Sequence, residues 1–196
     1  MKKILVPISR IVLCLCTAFL ITTTACGNTR SETESGWPKP KKKLAINYDA
    51  AVANRLSDTV ATLIFSANKA TVYRINPKVA PKDKDKTIGG IKIEDKIGTF
   101  GERELQTLQF LLADSCCYSD SPVVPITPFS PSIALEMSSK QGTIYLLFSF
   151  ASQEVGVVTD GELKKEHQYS YARLITRLFE NYIDKEYYNY LKQLIL

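Results

Sequence analysis

An uncharged apolar run, Ile11 to Ile21, follows Lys2, Lys3 and Arg10 and leads into Thr22-Thr23-Thr24-Ala25-Cys26. The run is 11 residues long, whereas a helix needs about 20 apolar residues to cross a bilayer. A basic start, a short apolar centre and small residues before a cut point describe a secretory signal over residues 1–25. Positive charge is retained on the cytoplasmic side, which orients the segment for export. Cys14 and Cys16 lie inside the run and read as small hydrophobes. The remainder is then expected to fold in water without a span of its own.

Cys26 narrows the kind of signal. The end of the segment resembles the lipobox of bacterial lipoproteins, in which small residues lead directly to a cysteine that receives a diacylglycerol thioether. Ala25 and Thr24 fit that pattern, and Thr23 stands where the family most often has Leu. The resemblance implies cleavage before Cys26, lipidation of its sulfur and acylation of its amine. Two or more acyl chains hold a protein stably on a membrane, each buried methylene contributing about 0.8 kcal/mol. The alternative is an ordinary cleaved signal with a cysteine near its end. With Gly27 following Cys26, the resemblance further implies the outer membrane of a two-membrane bacterium. No acidic run follows that would suggest export to the cell surface.

Residues 26–43 read as the tether. Gly27 to Gly36 is polar and small, a flexible leader. Trp37-Pro38-Lys39-Pro40-Lys41-Lys42-Lys43 is stiffened by its prolines and extended by lysine repulsion. Those lysines either form a solvated spacer or draw the segment to an anionic surface, at about 1 kcal/mol each. The whole chain has 25 Lys and Arg against 20 Asp and Glu, but three of the basic residues and no acidic one precede Cys26. The mature balance is therefore 22 against 20, and the concentrated positive face that nucleic-acid binding needs is not expected.

Residues 44–196 have the length and apolar content for one independent core. Asn47 is placed to cap a helix running through Ala67, with Val52, Leu56, Val60, Leu63 and Ile64 on one side. Ala70 to Ile75 reads as a strand that Pro77 stops. Ile88 to Ile93 is a second strand, loosened by Gly89 and Gly90. Thr99 and Glu102 fit a capping box for a helix that carries Leu105, Leu108, Leu111 and Leu112 and ends near Asp114.

From Ser115 to Pro131 the chain is irregular. Ile133 to Met137 and Thr143 to Phe150 then form a hairpin, and the second of these is apolar on both parities, as in a central strand covered on both faces. Val155 to Thr159 pairs next, before a turn at Asp160-Gly161. Apolar residues from Leu174 to Ile195 hold one helical period, a stripe that most often faces the core. The expected fold is α+β, an antiparallel sheet of about five strands with helices packed on one face, in the order α-ββ-α-βββ-α.

Few residues suggest chemistry. Cys116-Cys117 would meet an oxidising compartment. Adjacent cysteines rarely reach good disulfide geometry without distorting the peptide between them, so buried or unreactive thiols are favoured over a redox switch or a bond to a partner. His167 is the sole histidine, which argues against a metal site. It reads as a surface residue before the last helix. A Ser-His-Asp system through Asp160 or Asp114 lacks a supporting motif. Glu102 and Glu104 do not share a helix face, and Gly89-Gly90 lacks a nucleotide-loop pattern. No cofactor is expected. Recognition is placed on the loop that contains Tyr118, Pro125, Pro128, Phe129 and Pro131, a stiff and partly aromatic surface, although the same loop can simply cover the sheet edge.

Leu111-Leu112-Ala113-Asp114 through Tyr118, Phe129-Ser130-Pro131 and the hairpin ending Phe148-Ser149-Phe150 resemble a diffuse group of uncharacterised bacterial envelope proteins, over Leu105 to Phe179. Members carry a cysteine just past the second hairpin strand. Ser149, Ala151 and Ser152 stand there in this chain, against a loop-to-strand disulfide. The group implies no activity. The expected function is a lipid-anchored envelope module that binds or braces a ligand or another envelope protein. The alternatives are a thiol switch at Cys116 and Cys117 or a hydrolase.

Overall fold

The computed structural model describes residues 46–118 and 127–195. The signal segment, Cys26, the tether and Pro125 lie outside them. All described residues fall in one unit, Ala45–Leu196. None of their helices is long and apolar enough to cross a membrane.

Helices α1 (Ala50–Leu56) and α2 (Asp58–Ser66) replace the single helix expected from Asn47 to Ala67. Asp49, not Asn47, caps α1, its Oδ1 accepting from Val52 N at 2.9 Å. Ser57 leaves helical geometry at φ 74 and ψ 151, and its hydroxyl then accepts from Val60 N to start α2. The apolar period runs on across this break because both pieces bury the same side: Val52 and Leu56 from one, Ala61, Ile64 and Phe65 from the other.

Strands β1 (Lys69–Asn76), β2 (Thr87–Ile88) and β3 (Ile91–Thr99) follow, then α3 (Glu102–Ala113). Gly89 and Gly90 do not loosen one strand. They turn the chain between two, at φ 58 and 77, a geometry that glycine adopts without a Cβ penalty. The cap of α3 lies two residues later than expected. Gly101 is the N-cap, and Glu104 reaches back to accept from its N–H at 2.7 Å.

A short 3-10 turn, Ser115–Cys117, leads away from α3. Strands β4 (Ile133–Ser139), β5 (Gly142–Ser149), β6 (Glu154–Thr159) and β7 (Glu162–Gln168) form the expected antiparallel meander with one strand more. β7 was not expected because its sequence, ELKKEHQ, has almost no apolar content. It is an edge strand, where charge blocks pairing with other chains. The C-terminal stripe also divides, into α4 (Ala172–Leu178) and α5 (Lys185–Ile195). Phe179 ends α4 by turning into the core, with ring centroids 4.7 Å from Phe148 and 5.0 Å from Phe100. Asp184 starts α5, its Oδ1 accepting from Glu186 N and Tyr187 N.

The fold is α+β, with a seven-stranded antiparallel sheet in the order β2-β3-β1-β4-β5-β6-β7 rather than about five strands. One face carries the helices and the main core, with Val72, Leu135, Met137, Leu146 and Phe148 under Leu108, Leu112 and Phe179. The other face has a smaller core of Ile75, Ile88, Ala134, Leu147 and Val158, to which no helix contributes among the described residues. The sheet covers that face by curling on itself. Register shifts in β1–β3 and β6–β7 add the local twist that such curling needs. Near one end of the strand order, a methyl group at Gly89 would lie 2.8 Å from Val158 Cγ2 in β6, next to the other edge.

Candidate concave binding groove

The curl leaves a groove of about 660 Å³ along the concave face, between the chain from Lys84 to Ile88 and strands β1, β3, β4 and β5. Tyr73, Glu136 and Tyr145 lie together in it. The ladders put them there. Tyr73 pairs with Ala134, two residues before Glu136 on the same face, and Glu136 pairs with Tyr145. The Tyr73 hydroxyl donates to Glu136 Oε2 at 3.0 Å. Burial, and then that bond and the Glu136 charge, raise the Tyr73 pKa. Burial and the same carboxylate raise that of Tyr145. Both phenols therefore stay protonated at neutral pH, with the Tyr73 proton held on Glu136 and that of Tyr145 open to a ligand among the described residues.

Ile88 and Ile93 give the groove apolar surface. Its rim is charged and built. Lys82 N donates to Asp85 Oδ2 at 2.9 Å, Lys92 Nζ lies 3.2 Å from that oxygen, and Asn76 Nδ2 donates to Glu94 Oε1 at 2.7 Å. The backbone bond from Lys82 and the contact with Lys92 hold the Asp85 carboxyl below its ordinary range. Among the described residues, no Ser, Cys or His lines the groove. It offers a phenol, a carboxylate and an apolar floor, groups that can hold a ligand. Sequence reasoning did not find these residues. The signal was Glu136, a lone carboxylate in the otherwise apolar and small strand IALEMSS.

The residues expected to act lie elsewhere. Tyr118 is a correction: it is 4% exposed, and its hydroxyl donates to Leu112 O at 2.8 Å, so it is a core side chain and not part of a recognition surface. Pro131 is buried as well, while Pro128 is exposed. Phe129 is half-buried with its ring where a Cβ at Gly156 would stand, 2.8 Å away, so it packs inside the curl. Ser149 and Ser152 make the loop-to-strand tie by hydrogen bonds. Ser130 N donates to Ser149 Oγ at 3.1 Å, and Ser152 Oγ lies 2.6 Å from the same oxygen.

Cys116 and Cys117 are both free thiols, the first exposed and the second buried. Burial pushes the Cys117 thiol up to about 12, which removes thiolate at neutral pH. His167 is another correction. It is 5% exposed and sits in β7, not on a surface loop. Burial, then Lys165 and Arg55, pull its pKa down from 6.5 to about 4. Its ring centroid lies 5.9 Å from that of Tyr118, with the two planes at 73°. Among the described residues no hydrogen bond joins it to Asp114 or Asp160. The Asp114 carboxylate instead accepts from Tyr171 at 2.6 Å and from Cys116 N at 2.9 Å. Among the described residues no three His, Cys, Asp or Glu side chains gather as metal ligands.

No protein-family model, no curated protein and no solved structure matches the chain.

Proposed function

We propose that this protein is a lipid-anchored binding module of the bacterial cell envelope, held at the outer membrane through Cys26. The concave groove takes a polar ligand with one apolar face, displayed by a neighbouring envelope component. The observation that carries this reading is the juxtaposition of Tyr73, Glu136 and Tyr145 on a sheet face that no helix covers among the described residues. A donor and an acceptor placed on rigid strands over an apolar floor favour binding over turnover. A tether keeps the partner search in one membrane neighbourhood and raises effective concentration.

The anchor and the groove are tested separately. Cys26→Ala is expected to abolish incorporation of labelled fatty acid and to release the protein from membranes. Unchanged labelling and retention would overturn the anchor. A photoreactive phenylalanine analogue at position 145 is expected to crosslink in cells to an envelope component, while the same analogue at position 140, in the β4–β5 turn, is not. Equal crosslinking from both positions would overturn the groove.

A further inference from the structure

A second groove lies on the helical layer, on the opposite side of the sheet from the concave face. It has a volume of about 280 Å³ and runs between α4 and α5. Arg173 and Arg177 reach it from α4 and Lys192 from α5, against a single carboxylate among the described residues, Glu180. That leaves a local charge of +2. Burial and then the Glu180 charge raise the Tyr188 pKa, and Lys192 Nζ lies 5.1 Å over the Tyr188 ring. Among the described residues the ion pairs are Lys92–Asp85 and Lys164–Glu162, so neither arginine is neutralised by one.

Thr176 lies at the base of this groove. It is 4% exposed, and its hydroxyl is buried with no hydrogen-bond partner among the described residues. A helical Thr ordinarily satisfies its hydroxyl on the carbonyl four residues earlier. A buried hydroxyl left unpaired is costly, and this one lines a cavity rimmed by three cations. The far side of the groove is apolar, formed by Leu191 and Ile195 of α5.

We infer that this groove binds a phosphate monoester bearing an apolar substituent. A dianionic phosphate matches the local charge of +2, which a monoanionic carboxylate would leave half neutralised. Arginine forks suit phosphate oxygens, and the Thr176 hydroxyl donates to a third. The substituent lies along Leu191 and Ile195. Such a ligand arises either as a phosphatidic-acid headgroup or as a soluble alkyl phosphate. The site shares no residue with the concave groove, so its failure leaves that reading intact.

The test is calorimetric titration of the full chain in neutral detergent with inorganic phosphate, hexyl phosphate and dihexanoyl phosphatidic acid. Saturable one-to-one binding of hexyl phosphate, tighter than inorganic phosphate, is expected. Thr176→Val and Arg177→Gln are each expected to weaken it about tenfold. Arg173→Gln/Arg177→Gln gives the same readout from exposed positions should the Thr176 variant fail to fold. A tighter diacyl ligand assigns the groove to a membrane headgroup, and a tighter hexyl phosphate to a soluble ester. No saturable binding, equal binding of inorganic phosphate, or binding unchanged in Arg177→Gln overturns the site.

Discussion

Gly89 and Val158 meet across the inside of the curl: a Cβ at Gly89 would stand 2.8 Å from Val158 Cγ2. The first belongs to the turn between β2 and β3, the second to β6 near the far edge of the sheet. This contact brings the two ends of the strand order together and shapes the groove over Tyr73 and Tyr145. Gly89→Ala meets both a positive φ and a close side chain. It is expected to cost about 2–4 kcal/mol. Gly90→Ala has the positive φ but open space, and is expected to cost about 1–2 kcal/mol. Urea denaturation of both variants checks the difference. Equal losses would mean that the edges do not meet.

Gln109 ties α3 to the end of α2. It is fully buried, and its Nε2 donates to Ile64 O at 2.7 Å and Ala67 O at 3.0 Å. These are carbonyls at a helix terminus, where intrahelical partners run out. Gln109→Leu keeps the volume and removes both bonds. The expected loss is about 2 kcal/mol, measured by thermal or urea unfolding.

His167 predicts an acid-sensitive fold. Its pKa falls from 6.5 to about 4 in the folded protein, chiefly through burial. The unfolded chain binds a proton below 6.5 that the folded chain refuses, so this contribution to stability is present above 6.5 and is lost as pH falls toward 4. The loss is on the order of 2 kcal/mol after allowance for solvent screening. Comparing unfolding free energies at the two ends of that window checks it, and His167→Gln is expected to flatten the difference.

The adjacent thiols are expected to behave oppositely. An aromatic disulfide reagent is expected to modify Cys116 quickly and Cys117 only after unfolding, because one is exposed and the other buried. The Cys117 pKa also rises on folding, from 9.0 to about 12. The unfolded chain therefore releases its proton first, and stability falls as pH rises through that interval. Two rapidly modified thiols in the folded protein would contradict the burial of Cys117.

The concave site was only partly legible in the chain. Glu136 is a charge within an apolar strand that the sequence reading passed over, and nothing local indicates which phenols surround it. Tyr73 lies 63 residues from Glu136 in sequence, and only the register of β1 on β4 joins them. Tyr118 reads as a surface aromatic because it borders an irregular stretch, and His167 reads as a surface residue because it falls between the last expected strand and the last helix. Both were claimed by the interior once β7 and the turn after α3 were in place.

Side-chain periodicity is a property of neighbouring residues, so the sequence alone located β1, α3, the β4–β5 hairpin and the α+β class, and gave both apolar stripes their core-facing sides. It also carries the lipobox-like segment ending at Cys26. Tertiary structure decided where those stripes break, at Ser57 and between Phe179 and Asp184, because each helix piece must follow a curved sheet while keeping the same side buried. It also decided the seventh strand, the burial of His167 and the meeting of Gly89 with Val158. These depend on strand register and curl, which arise between residues far apart in the chain and leave no local pattern.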